Sequence, residues 1–427
     1  MKTSVKFPVI FIMIQLIFCG SFSKSYASGV GETNTYQLST FEIDVTPPMD
    51  YKLNYGKVLK TYDLGLRAKG IILLGSGQPI VLVAIDWIGI SNESHDAFRI
   101  GIANAAGTIP ERVAVQALHQ HDAPWGNLEN HYVQESLIRL ETEIRKSMQH
   151  PQEVTHIGFG EAEVYKIASN RRILSENKDT VRAMRYTSCP NPSLRAEPEG
   201  TIDPMVSLIS FWNDDKPLAV LTSYATHPQS YAGTNAPNPD FPGIARFMRQ
   251  LAVPDALHIH FTGAGGNIGA GKYNDGSHEN RVIFANRLAD GMQRAWDASQ
   301  KNINTISLIN WTAESVALPP DTIDGSRAYI KYYKGGGKLC LQCLKVNNTR
   351  MLFLPGELFV EYQLAAKNMR PDLFVAVAAY GNCGTGYVPT AIAFERGGYE
   401  PSAANVTADA EEILMNAMKV LLNESDK

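Results

Sequence analysis

The sequence predicts an α/β fold of mixed β-sheets layered with helices. Apolar runs of strand length alternate along the chain with longer segments whose apolar residues recur at helical spacing. Clusters of Gly, Pro, Asn and Asp separate these segments. The composition agrees: of 427 residues, 44% are hydrophobic and 19% charged, ordinary for a globular chain with a large core.

In chain order, residues 1–27 read as a secretory signal. Lys2 and Lys6 supply a positive start, Phe7 to Phe18 an apolar centre, and Ser25-Tyr26-Ala27 a cleavage site. The apolar run is too short to span a bilayer comfortably, and no later stretch suffices. Phe18, bulky before Cys19, argues against a lipid anchor at that cysteine. The expectation is an exported protein, periplasmic or secreted, with no transmembrane segment and with residues 28–427 as one domain.

Gly70–Leu74 and Pro79–Ile85 predict a hairpin around Gly75-Ser76-Gly77, followed by a helix near 93–106. Arg112–Leu118 predicts a strand running into His119. Val133, Leu137, Leu140, Ile144 and Met148 mark one face of a helix. Residues 189–202, rich in Pro, Asn and Glu, read as irregular. Met205–Trp212 and Pro217–Ser223 predict a strand pair whose second member leads to His227. Leu257–Phe261 predicts a short strand ending in glycines, and Val282, Ala285, Leu288, Met292 and Trp296 a long helix. Met351–Leu354 predicts a strand broken by Pro355-Gly356, with a helix from Glu357. Phe374–Tyr380 predicts a strand feeding a glycine-rich loop up to Tyr387. The last helix takes Thr407 as its cap, with Asp409, Glu411 and Glu412 in its first turn.

Several function classes fall away. Loss of Lys2, Lys6 and Lys24 with the signal moves the formal charge from −4 to −7, which argues against nucleic acid and anionic membranes as partners. Cys340-Leu-Gln-Cys343 has half a zinc-knuckle spacing but no second half, so an exported chain reads it as a disulfide or as buried thiols. The segment Gly263-Ala-Gly265-Gly266-Asn267-Ile-Gly269 fits a dinucleotide fingerprint poorly and opens no helix. It is a tight turn, or a place where backbone N–H groups approach a substrate oxyanion.

His119-Gln-His121-Asp122 is the densest polar cluster. In an extended segment both imidazoles share a side, so both could meet one metal, or one could bind while the other moves protons. Two surface histidines would look the same. His227, alone, reads as a structural histidine; Glu357 suits a helix cap; Tyr387 suits packing. The four nonetheless follow predicted strands, where α/β sheets gather their sites. The residues permit a His/His/Glu/Tyr metal site without demanding one.

These segments together resemble the catalytic N-terminal domain of the neutral (non-lysosomal) ceramidases, most of all its short bacterial branch. Leu118-His119-Gln120-His121-Asp122-Ala123-Pro124 resembles a THTHSGP segment whose first His binds zinc. Tyr224-Ala225-Thr226-His227-Pro228 is similar to FAxHP, Leu354-Pro355-Gly356-Glu357 to a PGE motif, and Gly386-Tyr387-Val388-Pro389-Thr390 to YVTT. The resemblance implies His119, His227, Glu357 and Tyr387 as ligands of Zn2+. It also implies His121 as proton donor or substrate contact, and Arg171, in Asn170-Arg171-Arg172, as a substrate contact. It spans roughly residues 38–400. Two features depart from it. Asn267 and Gly269 stand where ceramidases carry the Asp and Ser of GDxSPN, and no C-terminal immunoglobulin-like domain follows.

The implied protein is a zinc-dependent hydrolase that cleaves an amide bond in a small or lipid-like N-acyl substrate by a metal-hydroxide mechanism. Gly266, Asn267 and Gly269 are its candidate substrate-binding backbone. The alternatives are a metal-dependent hydrolase of an ester or glycan linkage, and a non-catalytic glycan- or lipid-binding relative.

Overall fold

The computed structural model describes residues 35–423, and the expected secretory signal lies outside the described residues. Among the described residues no helix is long and apolar enough to cross a membrane.

Three larger sheets organise the chain. The first holds β1 (Gln37–Asp44), β2 (Arg67–Leu74), β3 (Ile80–Ile85), β4 (Val113–Ala117) and β5 (Gln152–Glu153), in the order β4-β3-β2-β1-β5. The second holds β6 (His156–Glu163), β7 (Met205–Asn213), β8 (Lys216–Tyr224), β9 (Leu257–Thr262) and β10 (Ile303–Thr305), in the order β9-β8-β7-β6-β10. The third runs β11 (Ile309–Val316), β12 (Leu339–Val346), β13 (Thr349–Phe353) and β14 (Phe374–Ala378).

The two-residue period of a strand explains how the sheets stack. Every residue of β3 is buried. Its Ile80, Leu82 and Ala84 enter a central core shared with Phe211, Leu221 and Phe261 of the second sheet and Trp311, Leu344 and Phe353 of the third. Its Val81, Val83 and Ile85 face the opposite way, onto α1 (Asn92–Ala106) and α2 (His131–Ser147). The other sheets repeat the plan. Helices α3 (Asp240–Ala252) and α4 (Asn280–Gln300) cover the second, and α5 (Val360–Met369) and α6 (Ala410–Asn423) the third. A buried bidentate pair, Arg246 Nη1–Asp86 Oδ1 at 2.7 Å and Nη2–Oδ2 at 2.6 Å, ties α3 to the end of β3.

Each sheet contains one parallel pair: β3–β4, β8–β9 and β13–β14. Their carboxyl ends are stitched together. Ala117 N–H donates to Tyr380 O at 2.9 Å, Ala379 N–H to Thr262 O at 2.8 Å, and Thr262 Oγ1 to Leu118 O at 2.7 Å. The segments that leave these strands therefore meet at one place.

Local differences from the expectation have physical causes. Glu357 does not start a helix; Glu357–Leu358 pairs in parallel with Tyr387–Val388, and α5 begins at Val360, where the Asn267 side chain accepts from the Val360 N–H at 2.9 Å. Helix α6 starts at Ala410, whose N–H donates to the Thr407 carbonyl at 3.1 Å. Cys340 and Cys343 lie three residues apart on β12, hence on opposite faces, so the two do not pair with each other.

Candidate metal centre

His119 leaves β4 in the left-handed region, φ 69°, a conformation unusual for a side chain with a Cβ. Its backbone N–H donates to Trp87 O at 2.8 Å, its Nδ1 lies 2.5 Å from Ile88 O, and its ring stacks on Tyr380 at 4.5 Å between centroids. Next to it, Gln120 Nε2 donates to Asp86 O at 2.7 Å. His227 follows β8; its N–H donates to Ile268 O at 3.1 Å, and its Nδ1 lies 2.8 Å from Gly265 O. Glu357 follows β13 after Gly356, whose φ is 61° and where an added Cβ would sit 2.1 Å from Thr385 Oγ1. One candidate ligand thus comes from each sheet.

These three side chains converge. His119 Nε2 lies 3.2 Å, and His227 Nε2 3.3 Å, from Glu357 Oε2. A carbonyl oxygen only accepts, so both Nδ1 atoms carry the ring proton. Both Nε2 atoms then present lone pairs to a carboxylate oxygen. His227 Nε2 and Glu357 Oε2 are buried and have no hydrogen-bond partner. Acceptors facing acceptors in a buried site are unfavourable unless a cation sits among them. Zinc bonds of about 2.0–2.1 Å at tetrahedral angles separate donor atoms by about 3.3 Å, so the spacing fits. Burial pushes the His227 imidazolium pKa down and so favours the neutral ring. A neutral imidazole and an anionic carboxylate are the forms that bind metal.

His121 joins the cluster: one nitrogen from each of His119, His121 and His227 lies within 4.8 Å of the others. Both ring nitrogens of His121 are buried and lack a hydrogen-bond partner. Its ring centroid is 5.1 Å from that of His119.

Tyr387 stands beside His227, with ring centroids 6.2 Å apart, and its phenol accepts from Arg171 Nη1 at 3.2 Å. Burial and Glu357 push the phenol pKa well above its ordinary value, with Arg171 pulling the other way. Arg171 is buried. Burial opposes its charge, but Tyr387 and Glu400 more than offset that and its pKa rises. Glu400 is fully buried and bridges two guanidiniums, Arg171 Nε at 3.5 Å and Arg172 Nη1 at 3.2 Å.

The glycine-rich segment after β9 serves as scaffold. Gly266 N–H donates to Leu358 O at 2.7 Å, and an added Cβ would lie 2.2 Å from Glu357 O. Its N–H is thus already used, which corrects the expectation that it faces an oxyanion. Asn267 Nδ2 donates to Glu361 Oε2 at 2.9 Å while Oδ1 caps α5, so its side chain holds the helix that follows Glu357. Gly269 differs: the nearest atoms to an added Cβ are Arg171 Cγ and Thr187 Cα, both at 3.5 Å.

The sequence reading missed Tyr380 and Glu400. Tyr380 stacks on His119 and places its hydroxyl 3.5 Å from His227 Nδ1. It lies two residues past the end of β14, so the rule that found the other site residues also applies to it. Glu400 sits in a short helix far along the chain with no local pattern to mark it.

The sequence matches no protein-family profile and no curated protein. The fold is similar to that of neutral ceramidase from Pseudomonas aeruginosa, with a TM-score of 0.65 at 15% identity over 91% of this chain and 75% of that one. It is also similar to a ceramidase complexed with C2, with a TM-score of 0.66 at 14% identity over the same shares. The chain therefore has a neutral-ceramidase-like mixed α/β fold.

Proposed function

We propose that the protein is an exported zinc-dependent hydrolase that cleaves the amide bond of an N-acyl compound. The observation that carries this reading is the pair of imidazole lone pairs aimed at Glu357 Oε2, at 3.2 Å and 3.3 Å. In this reading His119, His227, Glu357 and Tyr387 would hold the metal. Bound zinc lowers the pKa of its water to about 7 and polarises a carbonyl.

The chain's own groups do the rest. His121, with two unengaged ring nitrogens beside the cluster, gives a proton to the departing nitrogen. Arg171 is a permanent cation held against Tyr387 and stabilises negative charge that develops near it. Tyr380 fixes the plane of the His119 ring. The amide as target is supported by the ceramidase fold; the N-terminal sequence supports export. Gly269 leaves ceramide itself an open member of the N-acyl class.

The test is to incubate zinc-loaded protein with N-acyl sphingosines, N-acyl hexosamines and N-acyl amino acids and to follow amine release. Turnover of one class, lost in His119→Ala, is expected. Zinc-loaded protein that binds such a compound and releases no amine would contradict the reading in favour of a binding protein.

A further inference from the structure

The His121 ring is held without a hydrogen bond. Both of its nitrogens are buried and unpartnered, so no donor or acceptor decides which one faces the metal cluster. The contacts that remain are ring contacts. His119 meets it edge-on at 5.1 Å and 85°, His227 lies tilted to it at 5.8 Å and 55°, and Tyr55 stacks on it at 5.8 Å and 17°. A half-turn of the imidazole about Cβ–Cγ exchanges Nδ1 with Cδ2 and Nε2 with Cε1, and so re-aims both nitrogens, as a smaller rotation also does. Flat stacking on a fixed aromatic ring restricts the smaller rotation.

Tyr55 is not a core residue; the residue is 47% exposed. It lies at the tip of a two-residue hairpin, Lys52–Leu53 paired with Gly56–Lys57. The buried side chains of Leu53 and Val58 root that hairpin. Its tip is fastened sideways. Lys57 N–H donates to Asn235 Oδ1 at 3.2 Å, and Leu59 N–H to Asn235 O at 2.9 Å. Gly56 has φ 96°, and an added Cβ there would lie 2.3 Å from Asn235 Oδ1, so the close approach needs glycine. The loop carrying Asn235 is bound in turn to the residue after His121. Asp122 accepts from Gly233 N–H at 2.8 Å, from Thr234 Oγ1 at 2.7 Å and from Thr234 N–H at 3.3 Å. The contacts close on themselves: His121, Asp122, the 233–235 loop, the hairpin, Tyr55, and back to His121.

We propose that Tyr55 is a positioning residue that orients the His121 imidazole towards the departing nitrogen. The Asp122–Asn235 linkage keeps Tyr55 in register with the ring it orients. This rests on His121 as the proton donor. In this role Tyr55 acts through His121. A ring that stacks equally well without the hydroxyl should replace it, because the stacking and not the phenol does the orienting.

The experiment uses the full zinc-loaded chain as wild type, Tyr55→Phe, Tyr55→Ala and His121→Ala. Two acyl probes are compared, an N-acyl anilide and the p-nitrophenyl ester of the same acid; the ester leaves without a proton. Crystal structures of the Tyr55 variants report the His121 ring directly. Tyr55→Phe should keep the wild-type ring orientation and kinetics. Tyr55→Ala should rotate or disorder the ring and lower anilide kcat by about 10- to 100-fold, with KM and ester turnover little changed. A Tyr55→Ala structure with the His121 ring in its wild-type orientation would overturn the proposal, as would equal losses on anilide and ester. If His121→Ala itself spares the anilide, the proton-donor reading fails instead, and the crystal structures still decide whether Tyr55 orients the ring.

Discussion

His227 Nε2 and Glu357 Oε2 face each other at 3.3 Å with no proton available from the imidazole, because Nδ1 spends it on the Gly265 carbonyl. The contact is repulsive without a cation and strongly favourable with one. Glu357→Gln separates the two states. Its amide can donate to a facing Nε2, so metal-free protein should gain about 1 kcal/mol while zinc affinity collapses. Urea denaturation in chelator checks the first half and zinc titration the second.

Metal removal should have the opposite sign in the wild type. A cation that binds only the folded chain adds about 2.7 kcal/mol at a hundred times its dissociation constant. Chelator should therefore lower the wild-type Tm, and the shift should vanish in His119→Ala. Calorimetry with and without chelator measures it.

The glycine-rich segment gives a paired test. Gly266→Ala places a Cβ 2.2 Å from Glu357 O, on backbone that cannot retreat, whereas Gly269→Ala meets nothing closer than 3.5 Å. Gly266→Ala should cost about 3 kcal/mol or prevent folding, and Gly269→Ala should stay within about 1 kcal/mol of wild type. Equal stability of the two variants in urea would contradict the packing described for this loop.

Acid should destabilise the fold through buried histidines that are not part of the candidate metal cluster. Burial lowers the pKa of His95 and His258 to about 3, with Arg99 and Arg249 respectively adding to the effect; burial and Arg246 do the same for His260. Folded values below the unfolded one, near 6.5, mean that the unfolded chain takes up the proton first. Their stabilising contribution is complete above about pH 6.5 and is lost progressively towards pH 3, at up to about 1.4 kcal/mol per pH unit for each histidine. His258→Gln should flatten the dependence between pH 6.5 and 5 by about one such slope; an unchanged slope would show that His258 is not buried neutral.

The α/β class, the strand before each site residue and most helix positions were legible because apolar period and turn residues are local signals. The hairpin over 67–85 and α2 followed from them directly. Glu357 shows the limit: Pro355-Gly356 correctly marked the break, but the parallel pairing with Tyr387 is a contact across thirty residues that no local pattern encodes. Glu400 was invisible for the same reason, since only the fold brings Arg171 and Arg172 to it. The convergence of His119, His227 and Glu357 was suggested by their strand-end positions, and the three stitched sheets supply its geometry.

The central claim is that two imidazoles and a carboxylate form a built cation site, and the most direct measurement is metal content after purification and zinc loading. Wild-type protein should retain close to one zinc per chain, while His119→Ala, His227→Ala and Glu357→Gln, each still folded by circular dichroism, should retain almost none. Full retention of zinc in all three folded variants would contradict the account.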